Sequence, residues 1–259
     1  MRIARFTVGE EPTYGVVGGD EGDEIVASIV GDPLYSGVEL TGEQFTLADV
    51  RLLAPVIPRS KVVGIGRNYA AHAAELGNVA PAEPLVFLKP NTSVIGPFET
   101  IVYPAQSSNV HFEGELAVVI GRICRDVPPE RAGDVIYGFT VGNDVTARDL
   151  QQTDGQWTRA KGFDSFCPLG PWIETDLDPS DLALTTELNG ERRQSASTSL
   201  MLHDVPTLIA HVTSFMTLLP GDVVLTGTPE GVGSMQPGDD VSVTVAGIGT
   251  LTNRVVVRD

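Results

Sequence analysis

Two glutamates spaced two residues apart, Glu113 and Glu115, are the chemical starting point in this chain of 259 residues. In an extended segment, positions i and i+2 project to the same side. Both carboxylates therefore share a face with His111, Ala117 and Val119, while Val110, Phe112, Leu116, Val118 and Ile120 share the other. The apolar continuation of the carboxylate face predicts a strand covered on both sides further along. Like charges this close in a partly desolvated setting repel, so either one takes up a proton or a cation sits between them. Asp144, following the strand-like run from Val135 to Val141, offers a third oxygen donor. Three carboxylates without a thiolate suit a hard ion, Mg2+, Mn2+ or Ca2+, with positions left for water and substrate. A substrate with adjacent carboxylate and keto oxygens, a 2-oxo acid, would fill such positions. Each part has an ordinary alternative: Glu-x-Glu is also what a half-exposed strand edge shows, and Asp144 beside Gly142 and Asn143 also fits a turn or cap.

His72 and Glu75 form a second chemical pair. The run from Asn68 to Gly77 predicts a helix with Asn68 as its N-cap and Gly77 as its terminator, which puts the two side chains on one face. A surface ion pair is the plainer alternative. Residues 78–84, small and proline-containing, read as a surface connection able to serve as a lid. His111 shares the glutamates' face and is expected to support them, whereas His203 and His211 are expected to be structural. Only Lys61, Lys89 and Lys161 are lysines among 17 basic residues, so their contexts carry weight.

The elements that must position these groups are mostly strands. Glycine and proline number 28 and 18, and with 42% hydrophobic residues the chain can bury a large core, which points to a β-rich fold with many turns. Residues 1–58 read as a small N-terminal β unit ending at Ala54-Pro55-Val56-Ile57-Pro58, and residues 59–259 as the part that carries the chemistry. Later come a helix from about Val205 to Leu218 and strands from Val223 to Thr226 and from Val241 to Val245. Thr146-Ala147-Arg148-Asp149 reads as a capping sequence for a helix through Gln152.

A formal net charge of -17 argues against nucleic acid and anionic membrane partners. Two cysteines without zinc spacing, the absence of a long apolar run and the lack of a leader-like opening make a cytoplasmic protein the expectation. Gly64-x-Gly66 between a strand and a helix fails as a dinucleotide fingerprint, because Tyr69 stands where the third glycine belongs.

In combination, six segments resemble the fumarylacetoacetate hydrolase family over about residues 60–259. They are Gly66-Arg67-Asn68-Tyr69-Ala70-Ala71-His72, Phe87-Leu88-Lys89-Pro90, His111-Phe112-Glu113-Gly114-Glu115-Leu116, Asn143-Asp144-Val145-Thr146-Ala147-Arg148-Asp149-Leu150-Gln151, Lys161-Gly162-Phe163-Asp164 and Thr226-Gly227-Thr228-Pro229-Glu230-Gly231-Val232. The resemblance implies a mainly β fold with short helices, a mixed β-sandwich roll, in a homodimeric enzyme. It implies Mg2+ or Mn2+ on Glu113, Glu115 and Asp144. His72, Glu75 and Lys161 take the catalytic roles it implies, and Arg67, Lys89, Arg148, Gln151 and Thr228 the substrate-binding ones.

The activity expected from this resemblance is metal-dependent hydrolysis of a carbon-carbon bond in an acylpyruvate, with histidine activating water and glutamate orienting it. Decarboxylation of oxaloacetate and isomerisation of 2-hydroxyhepta-2,4-diene-1,7-dioate use the same enolate chemistry and stand as alternatives. So does a relative that binds metal or ligand without catalysis.

Overall fold

The computed structural model describes residues 1–9, 11–20 and 22–257. Strand β1 (Arg2–Thr7) begins the chain. The site region supplies β2 (Val62–Gly66), helix α1 (Ala70–Glu75), β3 (Leu85–Lys89), β4 (Val110–Phe112), β5 (Gly114–Ile120), β6 (Ile136–Asn143) and β7 (Thr146–Ala147). It continues through α2 (Arg148–Asp154), α3 (Thr158–Lys161), β8 (Cys167–Glu174), β9 (Glu191–Ser197), α4 (Val205–Phe215), β10 (Val223–Leu225) and β11 (Gly233–Ser234). The chain is thus mainly β with short helices, as its glycine and proline content predicts.

A 12-stranded mixed sheet forms the scaffold. From β1 it runs through β8, β6, β5, β10, β2 and β3, with the N-terminal strands Thr13–Gly18, Ile25–Ile29 and Leu40–Thr46 extending it on the other side. A five-stranded sheet and the three-stranded set β7-β4-β11 complete the architecture. Strand β5 lies at the centre, and its two faces bury separate cores. Leu116, Val118 and Ile120 pack with Leu208, Ile209 and Val212 of α4 and with Val243 and Val245 of the five-stranded sheet. Ala117 and Val119 pack with Ile3, Leu169 and Ile173. Burial on both faces accounts for the apolar continuation of the carboxylate face.

The run from Val110 to Gly121 is not one strand. The chain changes partners at Glu113: β4 pairs with β7 and β11, and β5 pairs with β6 and β10. The Asn143 side chain accepts from Glu113 N at 2.9 Å, and Asp144 N donates to Glu113 O at 2.9 Å, so the break is hydrogen-bonded to the end of β6. Side-chain alternation continues across it. A third apolar cluster, with Val110, Phe112, Ala147, Leu150, Ala160 and Phe166, clamps β4 and β7 against α2 and α3. The helices carrying Arg148 and Lys161 are fixed by this packing, since two helices so short have little stability alone.

Helix α1 forms, but Asn68 does not cap it. Tyr69 occupies that position, and the Asn68 amide donates to Thr226 O at 2.8 Å and His203 O at 3.0 Å. Gly77 does follow the helix in a left-handed conformation, φ 69°. Likewise α2 starts without a side-chain cap: Ala147 stands at the cap position, and Thr146, one residue earlier, donates its hydroxyl to Asp144 O at 2.8 Å. In α4 the capping is local and readable: Asp204 accepts from Thr207 N.

Candidate active site

The end of β6, the β4–β5 break and the start of β5 bring Asp144, Glu113 and Glu115 together. Their carboxylate oxygens include a set lying within 4.8 Å of one another, and all three residues are buried. Each carboxylate has its own surroundings. Glu113 accepts from Arg148 Nη2 and, at 2.9 Å, from Lys161 Nζ. Burial alone would raise its pKa, but Arg148, Lys161 and His72 outweigh burial and hold it well below the usual carboxylate range. Asp144 accepts from Lys89 and Lys161. Lys161 also donates to the Thr146 hydroxyl at 2.8 Å, and its pKa is raised: burial opposes the charge, and Asp144 and Glu113 more than offset that.

Glu115 differs. Its one hydrogen bond among the described residues comes from Gly227 N, at 2.7 Å, and no basic side chain pairs with it. Burial first, then Asp144 and Glu113, push its pKa well above the usual range. A buried carboxylate without a countercharge, beside two others, is what a divalent cation relieves, and oxygen-only donors match Mg2+ or Mn2+. The residues present therefore fit such an ion.

A cavity of about 240 Å3 opens over this cluster. Of the residues singled out in the sequence, Arg67, His72, Glu113, Glu115, Arg148, Gln151, Lys161 and Thr228 line it. Asp144 and Lys89 do not. Lys89 is only 1% exposed and its ammonium is directed onto Asp144, so it positions a carboxylate rather than meeting a ligand. Glu75 stands behind His72, with its Oε2 3.4 Å from His72 Nδ1, and also accepts from Gly231 N at 3.1 Å. At 3.4 Å the imidazole and carboxylate are close enough for an ion pair, yet Nδ1 lacks hydrogen-bond geometry to any partner among the described residues. Burial lowers the His72 pKa against the opposing pull of Glu113, so the ring is neutral at neutral pH. His111 is held by Asn109 at 3.0 Å, and burial with Arg148 nearby lowers its pKa to about 4.

Several residues that build the site escaped the sequence reading. Gln194 on β9 donates to the Thr228 hydroxyl and to Pro229 O, both at 2.8 Å, and accepts from Gly114 N at 3.0 Å, which fixes the Gly-Thr-Pro turn against β5. No local pattern marks it, since its partners lie 34 to 80 residues away. Tyr69 is 1% exposed and its hydroxyl has no partner among the described residues; burial and nearby Glu115 raise its pKa. Trp157 forms a cavity wall against Gly66, where a Cβ would come within 2.5 Å of the indole. A tryptophan in a polar stretch four residues before Lys161 was the available signal.

Comparison with known proteins gives the lineage. Residues 61–256 match the model "Fumarylacetoacetate (FAA) hydrolase C-terminal", and residues 1–55 match "Rv2993c-like, N-terminal". The oxaloacetate tautomerase YcgM of Escherichia coli K12 is 44% identical over 206 residues, covering 77% of this chain and 94% of that protein. A solved 5-carboxymethyl-2-hydroxymuconate delta-isomerase from Mycobacterium smegmatis is 55% identical with a TM-score of 0.93, covering 100% of both chains. A fumarylpyruvate hydrolase from Pseudomonas aeruginosa, solved in complex with Mn2+ and pyruvate, is 35% identical with a TM-score of 0.73, covering 79% of this chain and 98% of that one. No helix among the described residues is long and apolar enough to cross a membrane. The family match over most of the chain, the shared fold and the convergent carboxylates lead to one conclusion: the chain belongs to the fumarylacetoacetate hydrolase family.

Proposed function

We propose that this protein is an enzyme that moves a proton on a short 2-oxo carboxylic acid through its enolate, with Glu113, Glu115 and Asp144 holding Mg2+ or Mn2+. The observation that carries the reading is the convergence of three buried carboxylates, two of which line one cavity together with the buried imidazole of His72. Held by Glu113, Glu115 and Asp144, a divalent cation would supply Lewis acidity for the negative charge that develops on the acid's oxygens. Charge balance supports the same reading. Glu113 and Asp144 are paired with Arg148, Lys161 and Lys89, whereas Glu115 has no basic partner among the described residues, which leaves a place for added positive charge beside it.

The protein's own groups do the rest. In the enol-to-keto direction His72, which lines the cavity, takes the proton of the enol hydroxyl and gives a proton to the adjoining carbon. In the reverse direction it takes the proton from that carbon and returns it to the oxygen, and Glu75 supports the imidazolium between the two transfers. Lys161 contributes positive potential where the enolate oxygen develops, in surroundings that exclude water. Helix α1, tied through Glu75 to Gly231 N, brings His72 to the cavity wall. Tautomerisation of a diacid such as oxaloacetate is favoured by the small cavity and by the name of the Escherichia coli relative. Hydrolysis of an acylpyruvate is the second reading, supported by the His72–Glu75 pair, which is also suited to activating water.

The test is an assay of oxaloacetate, acetylpyruvate, fumarylpyruvate and 2-hydroxyhepta-2,4-diene-1,7-dioate with Mg2+ or Mn2+, for wild type and Glu113→Gln. Oxaloacetate enol-to-keto conversion is expected to exceed turnover of the acylpyruvates, and chelator or Glu113→Gln to abolish it. Turnover insensitive to chelator, or of none of the four, overturns the proposal.

A further inference from the structure

Gln194 is fully buried on β9, in the five-stranded sheet, and does not line the cavity. Its hydrogen bonds nevertheless end on two segments that build the cavity. The amide has two protons to donate and a carbonyl to accept with, and its neighbours decide which end is which: Gly114 N can only donate and Pro229 O can only accept. Oε1 therefore meets Gly114 N at 3.0 Å, and Nε2 meets Pro229 O at 2.8 Å. The second Nε2 proton goes to Thr228 Oγ1 at 2.8 Å. Thr228 passes its own single proton to Gly114 O at 2.9 Å, which closes a ring of hydrogen bonds through Gln194, Gly114 and Thr228.

The segments held in this ring carry the chemistry. Gly114 links Glu113 to Glu115, and the chain there is pressed onto the five-stranded sheet, since a Cβ on Gly114 would come within 2.2 Å of the Thr186 hydroxyl. The turn of residues 227–231 donates from Gly227 N to Glu115 at one end and from Gly231 N to Glu75 at the other. It lies directly on β9, where a Cβ on Gly231 would come within 2.1 Å of Arg193 O. One side chain therefore ties the strand start that bears the two glutamates to the turn that supports both Glu115 and the partner of His72. A displacement of Gln194 reaches the carboxylates and the base together.

We propose that Gln194 is a positioning residue for the reaction: from outside the cavity it holds Glu113 and Glu115 in register with the 227–231 turn, so that the cation-holding carboxylates and the His72–Glu75 pair face the same substrate. This inference rests on the reading of the site as a cation-assisted proton-transfer centre. Side chains that orient ligands from behind govern metal affinity or activity by about 10- to 100-fold, and a shift of about 1 Å in a reacting group is enough for a loss of that size.

Two variants test it: Gln194→Met, of similar length but without hydrogen bonds to give, and Gln194→Glu, which keeps an acceptor for Gly114 N and loses the amide donors. Mn2+ affinity by calorimetry, oxaloacetate enol-to-keto kinetics at saturating Mn2+ and urea midpoints are measured for both and for wild type. Gln194→Met is expected to weaken Mn2+ binding and to lower kcat, each by about 10- to 100-fold, with kcat/KM falling alongside kcat and KM changed little. Gln194→Glu is expected to recover part of both losses. Should Gln194→Met fail to fold, Gln194→Glu decides alone, with a kcat loss of about threefold or more expected, within what a displaced outer partner costs. Folded variants that keep wild-type kcat and Mn2+ affinity while only the urea midpoint drops make Gln194 structural and overturn the proposal, as does a rise in KM with kcat unchanged. A wild type that converts no oxaloacetate enol overturns the proton-transfer reading itself, and this inference with it.

Discussion

At the scale of single residues, His72 is the base of the proposed reaction. Burial lowers its pKa from the ordinary value of 6.5, and a base works only when unprotonated. Activity is therefore expected to hold through neutral pH and to fall on acidification only below the usual histidine range. Because the Glu75 charge raises the His72 pKa, Glu75→Gln moves that acidic limb lower still, and His72→Ala cuts kcat by about 10^2 to 10^4. Profiles of kcat/KM against pH for the three proteins check all of this; a limb that stays put in Glu75→Gln removes Glu75 from contact with the base. The pair was legible because three-residue spacing on a helix is local information, as is Glu-x-Glu on an extended segment. Asn68 was misread because the same amide that suits a helix cap also suits a buried tether, and only Thr226 and His203, more than 130 residues away, decide between them. Lys89 was assigned to substrate for the same reason: its motif is local, and its partner Asp144 is not.

At the scale of elements, the parallel pair of β2 and β10 depends on a clamp at their starts. Asp222 is fully buried and accepts from Ser60 Oγ at 2.7 Å, Lys61 Nζ at 2.9 Å and Leu219 N at 2.9 Å. This gives Lys61, the lysine without a motif, its role. Removing the carboxylate leaves a partly buried ammonium and several backbone donors unmet, so Asp222→Ala is expected to cost about 3–5 kcal/mol in urea unfolding, with kcat per folded molecule little changed. A loss under about 1 kcal/mol would mean the clamp is no stronger than a surface ion pair. Strand positions were readable from short apolar runs, as with β10, found at Val223–Leu225 where a strand from Val223 to Thr226 was expected. The break at Glu113 was not, because alternation records which way side chains point and carries no information about which strand lies alongside.

The whole molecule joins its N-terminal strands to the catalytic sheet through a shared apolar cluster that includes Tyr14 and Tyr137. Burial, with Asp32 nearby, pushes both phenols up to about 12. A folded-state pKa above the unfolded value of about 10 contributes stability that is complete below pH 10 and is lost as pH rises through 12. Urea midpoints are thus expected to drop over that window, and the double variant Tyr14→Phe, Tyr137→Phe to flatten the drop; an unchanged slope would place the alkaline weakness elsewhere. Strand β8 sits inside this joint, pairing with β1 at Ile173 and Glu174 and with β6 on its other side. Were residues 61–256 to stand alone, the backbone groups that Ile173 and Glu174 now pair with β1 would face water, an opening for another chain. The short leading segment thus doubles as a cover strip, and any homologue lacking it must seal the same flank by other means.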